Sequence, residues 1–226
     1  MLAHDDQVVE LFGEPSYGFD DKGPYYSVRH AGTWGHTTYV DPAPCYPHDV
    51  ALVQRQFNRM RELAPLPIPM KVAILSREPL ERTNGWYNDE HGYDENDKGS
   101  PVGVIYLAGK RIPPHPAMTR YLVSHEYGHA VAYHLARFRG ETMDQFKTMY
   151  LDYRSNATRD YGCGHWHSNV GELIANDFRI LVAGVEAEFW PHAGFARPED
   201  LPALGQFWLE ALAILRGKPR TEQAHG

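Results

Sequence analysis

Alternating apolar and polar positions divide the chain into stretches of helical and of extended character. Between residues 48 and 63, apolar side chains recur at Val50, Val53, Phe57 and Met60, which is the spacing of an amphipathic helix. Short apolar runs bounded by turn residues predict strands, and polar runs predict loops. The remaining elements are predicted in chain order as a hairpin in which YYSVRH and HTTYV flank AGTWG, a strand in MKVAILS, a polar loop at 82–101, a strand at 102–109, and helices at 142–154, at 169–184 and from Pro198 onward.

The longest apolar run extends from Pro116 to Phe138 and contains no internal proline. Proline suits the first position of a helix and Gly140 suits its stop, so the run predicts a single helix. Apolar residues surround it on most sides, which indicates a buried helix. Gly128 in its middle costs about 1 kcal/mol relative to alanine. We therefore expect another backbone to approach the helix closely at that turn.

The composition narrows the class of protein. The chain of 226 residues is long enough for one core, and 42% apolar with 23% charged residues is typical of a soluble globular protein. A net charge of −7 without a basic cluster argues against nucleic acid as a partner. Nowhere are 18 consecutive residues all apolar, as a membrane span requires, because the run from Pro116 to Phe138 includes polar and charged residues, and no signal peptide is visible. Two cysteines do not make a disulfide framework, so a reduced, cytoplasmic protein is expected.

The long apolar run contains the segment HEYGH, which fits the pattern His-Glu-x-x-His. Residues four apart on a helix share one face, so His125 and His129 can bind one Zn²⁺ at roughly 2.0–2.1 Å each. Glu126 flanks that metal and can accept a proton from the water that the metal activates, the general-base role in a metallohydrolase. The alternative explanation is a pair of ordinary core histidines, whose burial would require hydrogen-bond partners.

A catalytic zinc site needs a third protein ligand and an open position for water. The favoured candidate is Glu172, on the helix predicted at 169–184. Asn176, or less directly Asp177, is placed to orient a ligating histidine. The alternative role for Glu172 is a capping box with Asn169. A second candidate ligand is Asp160 in NATRDYG, which looks like a degraded aspartate-ligated zinc element and is otherwise an exposed turn residue.

The segments HEYGHAV at 125–131 and GELIANDFR at 171–179 together resemble the gluzincin zinc metallopeptidases, in particular small single-domain members and the lethal-factor-like branch. The resemblance implies an α+β, zincin-like domain over 48–226, in which a small mixed sheet packs on the HExxH helix. It also implies that the strand at 102–109 forms the rim of a cleft and that a substrate peptide pairs along a sheet edge by strand addition, although the sequence does not identify the edge strand. Residues 1–47, rich in Gly, Pro, Tyr and His, are expected to pack on this core as an N-terminal segment.

The same resemblance implies that His125, His129 and Glu172 bind one Zn²⁺ per chain and that Glu126 is the catalytic acid and base. The implied activity is hydrolysis of peptide bonds in a peptide or protein substrate. Family members usually carry an acid one turn after the ligand glutamate, whereas this chain carries Asn176 at that position. The resemblance therefore leaves open which groups form hydrogen bonds to the ligands and orient them.

The irregular segment 155–168 precedes the presumed ligand helix and is expected to line the active site. It offers His165 as the favoured donor to the oxyanion of a tetrahedral intermediate, with His167 and Tyr161 as alternatives. Two other functions stay open at this point. One is a non-catalytic binding or structural protein on a zincin scaffold, and the other is a zinc hydrolase of non-peptide amides or esters.

Overall fold

The structure is a computed structural model of the chain. It describes residues 46–74, 84–88, 103–110, 112–154, 169–192 and 195–217, and the backbone of 9–11, 16–20, 23–30, 33–37, 93–94 and 97–98. These parts of the chain contain five α-helices and nine strands, which confirms the α+β class. The strands are β1 (Val9–Leu11), β2 (Ser16–Asp20), β3 (Gly23–His30), β4 (Thr33–Thr37), β5 (Met70–Ile74), β6 (Gly85–Asn88), β7 (Tyr93–Asp94), β8 (Asp97–Lys98) and β9 (Gly103–Leu107). The helices are α1 (Val50–Leu63), α2 (Pro116–Phe138), α3 (Met143–Tyr153), α4 (Val170–Leu181) and α5 (Pro202–Leu215).

The chain divides into two compact units. The first comprises Met1–Phe57 and Ile68–Glu126, and the second comprises Asn58–Pro67 and Tyr127–Gly226. Helices α1 and α2 each begin in the first unit and end in the second. The boundary that the sequence suggests after residue 47 stays a prediction.

A mixed four-stranded sheet lies in the first unit, with the strand order β1-β5-β9-β6. Strands β1, β5 and β9 run parallel, and β6 runs antiparallel to β9. The apolar strands β5 and β9 are buried at every position except the half-buried Lys71, as is typical of strands covered on both faces. The small mixed sheet expected from the sequence is therefore present.

The edge of this sheet differs from the sequence expectation. The strand predicted at 102–109 was expected at the rim of a cleft, but β9 is hydrogen-bonded to β5 on one side and to β6 on the other. Strand β9 is therefore an inner strand, and the expectation that it forms the rim is wrong, whereas peptide addition at an edge of the sheet stays a prediction. Among the described strands, β6 ends the sheet on this side, and it lies within 82–101, where the sequence predicts a polar loop. Four residues between turn-forming neighbours are too few to show the alternation that identifies a strand.

The N-terminal strands form a separate antiparallel sheet with the order β2-β3-β4. In its second hairpin, Tyr26 lies opposite Thr37 and His30 lies opposite Thr33. This pairing confirms the hairpin predicted between YYSVRH and HTTYV. Strand β4 nevertheless begins at Thr33, inside the AGTWG stretch that the sequence predicts as the turn. Strands β7 and β8 pair with each other as a short antiparallel ribbon.

The helix boundaries follow the capping signals of the sequence. Helix α2 begins at Pro116, and Gly140 beyond its end has a φ of 70°, a left-handed conformation that favours glycine. At the start of α3, Thr142 and Gln145 form a capping box through reciprocal bonds to the backbone. Among the described residues, no helix combines the length and the apolar character that a membrane span requires.

Helix α5 begins later than the sequence predicts. The prediction placed its start at Pro198, but Pro198–Asp200 form a separate 3-10 turn, and the helix begins at Pro202. A proline ring disfavours the helical conformation at the residue before it. Leu201 accordingly has φ −117° and ψ 89°, so Pro202 separates the turn from the helix.

An aromatic cluster holds α3, α4 and α5 together in the second unit. Trp208 packs edge-on against Tyr150 and Phe178, with ring centroids 6.2 and 5.4 Å apart. Phe207 packs edge-on against Tyr150 at 5.0 Å and is tilted against Phe146 at 6.2 Å. All of these side chains are buried, and each such pair contributes about 0.5–1.5 kcal/mol beyond its buried area. The cluster therefore fixes α4, which carries Glu172.

A buried histidine makes the stability of the first unit depend on pH. His48 is 1% exposed, and its Nδ1 lies 2.8 Å from Oγ1 of Thr119. Burial and, to a smaller extent, the charge of Lys110 lower the pKa of His48 from 6.5 to about 4, although a bond to the backbone of Ala108 opposes them. Below pH 6.5 the unfolded chain takes up a proton at His48 that the folded chain accepts only near pH 4. The free energy of unfolding therefore decreases as the pH falls from 6.5 to about 4.

We expect His48→Gln to flatten the pH dependence of the free energy of unfolding between pH 6.5 and pH 4. The wild-type chain should lose about 1.4 kcal/mol more than the variant for each pH unit in this window, and about 3 kcal/mol in total. Urea denaturation of both proteins at four or five pH values measures the difference. Parallel curves for the two proteins would show that His48 titrates normally in the folded chain.

Candidate metal centre

Helix α2 presents the two histidines of the HEYGH segment one turn apart. His125 is 3% exposed, whereas the side chain of His129 is 23% exposed. One turn before His125, the ring of Tyr121 stacks on its imidazole with centroids 5.6 Å apart and planes 10° apart. The stacking restricts the orientation of the His125 ring, and the exposure of His129 leaves one side of the pair open to solvent.

Helix α4 brings Glu172 to these histidines. The Oε1 atom of Glu172 lies 3.4 Å from Nε2 of His129, and ligand atoms of His125, His129 and Glu172 all lie within 4.8 Å of one another. A tetrahedral zinc ion with bonds of roughly 2.0–2.2 Å holds its ligand atoms about 3.3–3.6 Å apart. Two imidazoles and one carboxylate are also a ligand set of catalytic zinc sites. The donor types and the 3.4 Å separation between Glu172 and His129 therefore fit a zinc ion with one position left for water.

The glycine of the HEYGH segment lies where α4 meets α2. A Cβ atom placed on Gly128 would lie 2.9 Å from both the Cα and the carbonyl oxygen of Ala175, and 3.2 Å from the ring of Phe178. Real Cβ atoms do not come within 3.0 Å of backbone atoms. This contact confirms the expected close approach of a second backbone and explains why a glycine occupies the middle of α2.

Glu126 belongs to the first unit, and its side chain lies beside the edge of the mixed sheet of that unit. Its side chain is buried, with 4% of the residue exposed. A Cβ atom on Gly85, the first residue of β6, would lie 3.3 Å from Oε1 and 3.4 Å from Cγ of Glu126. The backbone of β6 thus lies directly beside the carboxylate of Glu126. A side chain at position 85 would crowd this carboxylate and also the carbonyl oxygen of Tyr106, which lies 2.8 Å from the same Cβ position.

Asn176 lies one turn after Glu172 and belongs to a buried network behind it. The Nε atom of Arg179 donates to Oδ1 of Asn176 at 3.1 Å, and because a guanidinium only donates, this bond fixes the orientation of the amide. The amide nitrogen then donates to the backbone carbonyl of Glu172 and to Nε2 of His192, both at 3.0 Å. His192 is therefore neutral and carries its proton on Nδ1. No sequence motif marks His192, so its role is visible only in three dimensions.

Asp177 holds a different set of groups from the one expected. Its Oδ2 accepts from the Tyr150 hydroxyl at 2.6 Å and from Nε of Arg154 at 2.8 Å, and its Oδ1 accepts from the second guanidinium nitrogen at 2.8 Å. All three side chains are buried. Burial raises the pKa of Asp177, although Arg154 and Tyr150 oppose the rise. Burial and then the charge of Asp177 raise the pKa of Tyr150. The sequence predicts that Asp177 orients a ligating histidine. In the structure its carboxylate instead links α4 to Tyr150 and Arg154 at the end of α3.

The capping alternative for Glu172 is also decided by the structure. The side chain of Asn169 caps α4 by accepting from the backbone N–H of Gly171 at 2.8 Å, while the carboxylate of Glu172 faces His129. Within the described ranges, the His125, His129 and Glu172 group is the one cluster of His, Cys, Asp or Glu side chains that is placed to hold a metal.

The remaining candidates lie outside the described residues. They are the three oxyanion donors His165, His167 and Tyr161 and the alternative ligand Asp160, all within 155–168. Their roles stay predictions. The structure thus brings together the three expected ligands, places Glu126 beside β6, and adds His192, Arg179 and Gly85 to the surroundings of the site.

Comparison with known proteins assigns the chain to no family. No family model matches the sequence, and no curated protein matches it. The resemblance to gluzincins therefore depends on the two helical segments alone. The function has to be inferred from the geometry of the metal centre.

Proposed function

We propose that the protein is a zinc-dependent peptidase with a zincin-like fold. The observation that carries this proposal is the convergence of His125, His129 and Glu172 from two helices, with ligand atoms within 4.8 Å of one another. Two imidazoles and a carboxylate leave the fourth position of a tetrahedral ion for water, which distinguishes a catalytic site from a closed structural one. One Zn²⁺ per chain satisfies this ligand set.

Glu126 is the acid and base of the proposed reaction. When bound, zinc supplies a Lewis acid that polarises the scissile carbonyl and acidifies water at neutral pH. The Glu126 carboxylate accepts a proton from the attacking water and passes it to the nitrogen of the leaving amine. Glu126 immediately follows a ligand on α2, and its burial protects the proton from exchange with bulk water. His165 is the proposed donor to the oxyanion.

The edge strand β6 supports a peptide as the substrate. It ends the mixed sheet among the described strands, and its first residue, Gly85, adjoins the Glu126 carboxylate. An extended peptide that adds to this edge gains main-chain hydrogen bonds and presents its own backbone close to Glu126. The absence of a side chain at position 85 keeps that approach open. We therefore propose a peptide or protein substrate in the cytoplasm, rather than nucleic acid or a membrane lipid.

The proposal is tested by incubating the purified chain with a diverse peptide library and identifying new termini by mass spectrometry. We expect cleavage that disappears after the metal is removed with a chelator and returns when Zn²⁺ is added back. Magnesium added back at the same concentration is the control, because this ligand set does not suit a hard, oxygen-preferring ion. Turnover of simple esters and amides without any peptide cleavage would indicate a hydrolase of another class. Absence of both reactions in a zinc-loaded chain would indicate a non-catalytic protein.

A further inference from the structure

The contact between Gly128 and Ala175 lies next to two of the three ligands. Gly128 directly precedes His129 on α2, and Ala175 follows Glu172 by three positions on α4. Residues three apart on a helix lie one above the other on the same face, so Ala175 and Glu172 move together. Any displacement of α4 at Ala175 is therefore passed to the carboxylate that lies 3.4 Å from His129.

The two backbones cannot separate without disturbing the ligands. A Cβ atom at position 128 would lie 2.9 Å from two backbone atoms of Ala175, whereas ordinary contacts begin at 3.4 Å, so α4 would have to retreat by about half an ångström. Bond lengths in protein metal sites lie within roughly 0.2 Å of their standard values. A single added methyl group thus exceeds the tolerance of the site, although it removes no ligand.

The two backbones also cannot come closer together. Gly128 already presents no side chain, and the two atoms nearest to its Cβ position belong to the backbone of Ala175, which cannot rotate away as a flexible side chain can. Helix α4 is also held in place by the aromatic cluster and by the Asp177–Arg154 pair. A shorter ligand at position 172 would therefore not be compensated by a movement of α4 towards His129.

We propose that the Gly128–Ala175 contact is a positioning contact that sets the spacing between the ligands of α2 and α4, and with it the affinity for zinc. The inference rests on the proposed zinc site. It adds that this affinity is determined by a pair of residues that touch no metal. Gly128 is a positioning residue, because it acts through the distance between His129 and Glu172.

The first test is the zinc dissociation constant of Gly128→Ala, measured by competition with a chromophoric chelator. We expect binding to weaken by roughly 10–100-fold, the range found when groups that support a ligand from behind are removed. Thermal unfolding of the metal-free proteins is measured in parallel. A role limited to packing would lower the unfolding temperature and leave the zinc affinity unchanged, so the two readouts separate positioning from folding.

Two other glycines provide matched controls. Gly205→Ala adds the same methyl group to α5, where no atom lies within 4 Å of the new Cβ. Gly171→Ala adds it to α4 directly before Glu172, where only side-chain atoms of Asn169 and Lys147 lie nearby, at 3.2 and 3.7 Å. Both variants should bind zinc as tightly as the wild-type chain. A loss of affinity in all three variants would show that any glycine replacement weakens the site, and this would overturn the inference.

Glu172→Asp is a second variant for the case in which Gly128→Ala does not fold. It withdraws the carboxylate by one carbon–carbon bond, about 1.5 Å, without adding any atom. Because α4 cannot approach further, we expect a comparable loss of zinc affinity. Wild-type affinity in Glu172→Asp or in folded Gly128→Ala would overturn the inference and leave the zinc site intact. A wild-type chain that binds no zinc would instead refute the proposed function, and the inference with it.

Discussion

Glu126→Gln should bind zinc as the wild-type chain does and yet lose peptidase turnover by roughly 100- to 10,000-fold, the range that general acid–base catalysis contributes. Glutamine has the size and shape of glutamate but does not accept a proton at neutral pH. The substituted side chain keeps the shape that fits beside Gly85. The two proposed metal ligands of α2, His125 and His129, are not changed by this substitution. Zinc content by elemental analysis and kcat on a peptide found in the library screen together measure the separation.

Glu210→Gln is the matched control for this prediction. Glu210 is an exposed residue of α5 that bonds Gln206 on the same helix, and the substitution makes the same chemical change far along the chain from the motif. It should alter neither zinc content nor kcat. Wild-type turnover in zinc-loaded Glu126→Gln would remove Glu126 from the mechanism. Loss of zinc together with turnover would show that the carboxylate supports the metal rather than the proton transfer.

Features with a strong local signal were predicted well from the sequence. A 23-residue helix without internal proline and a His-Glu-x-x-His spacing fix which residues share one helical face. The cost of Gly128 in mid-helix pointed to a close backbone neighbour, and Ala175 on α4 is that neighbour. The helix that carries Glu172 has a clear start at Asn169. In each case the physical constraint acts within a few turns of one helix.

Features that depend on distant parts of the chain were not predicted. Strand β6 has only four residues, and its pairing with β9 is decided by the sheet rather than by its own sequence. Asn176 was expected to orient a motif histidine, but it bonds His192, sixteen positions away in an irregular stretch. Asp177 likewise bonds Arg154, the residue that follows the end of α3, and burial makes this pairing obligatory because an unpaired charge there would be costly. Sequence patterns predict which residues share a helix face and where a helix begins and ends. They do not predict which buried polar groups form hydrogen bonds with each other.

Glu172→Ala should lose zinc, whereas Asp160→Ala should keep it. Apparent binding energies of roughly 10–16 kcal/mol in four-ligand zinc sites correspond to about 2.5–4 kcal/mol for each ligand, so removal of one should weaken binding by about 100-fold. The fold should survive, because the Asn169 cap, the aromatic cluster and the Asp177–Arg154 pair that hold α4 do not involve the Glu172 side chain. Bound metal per chain, measured by elemental analysis on proteins purified side by side, tests both halves of the prediction.

The pair of variants distinguishes two ligand sets that the sequence allows. Glu210→Ala removes an exposed carboxylate from α5 and serves as the control for the loss of one acidic residue. Near one zinc per chain in all proteins except Glu172→Ala would establish the ligand set of two histidines and Glu172. Loss only in Asp160→Ala would transfer the third ligand to the segment before α4, and the 3.4 Å approach of Glu172 to His129 would then be an ordinary hydrogen-bonded contact. A well-folded wild-type chain that takes up no zinc, even when zinc is supplied, would refute the metal centre and with it the proposed peptidase activity.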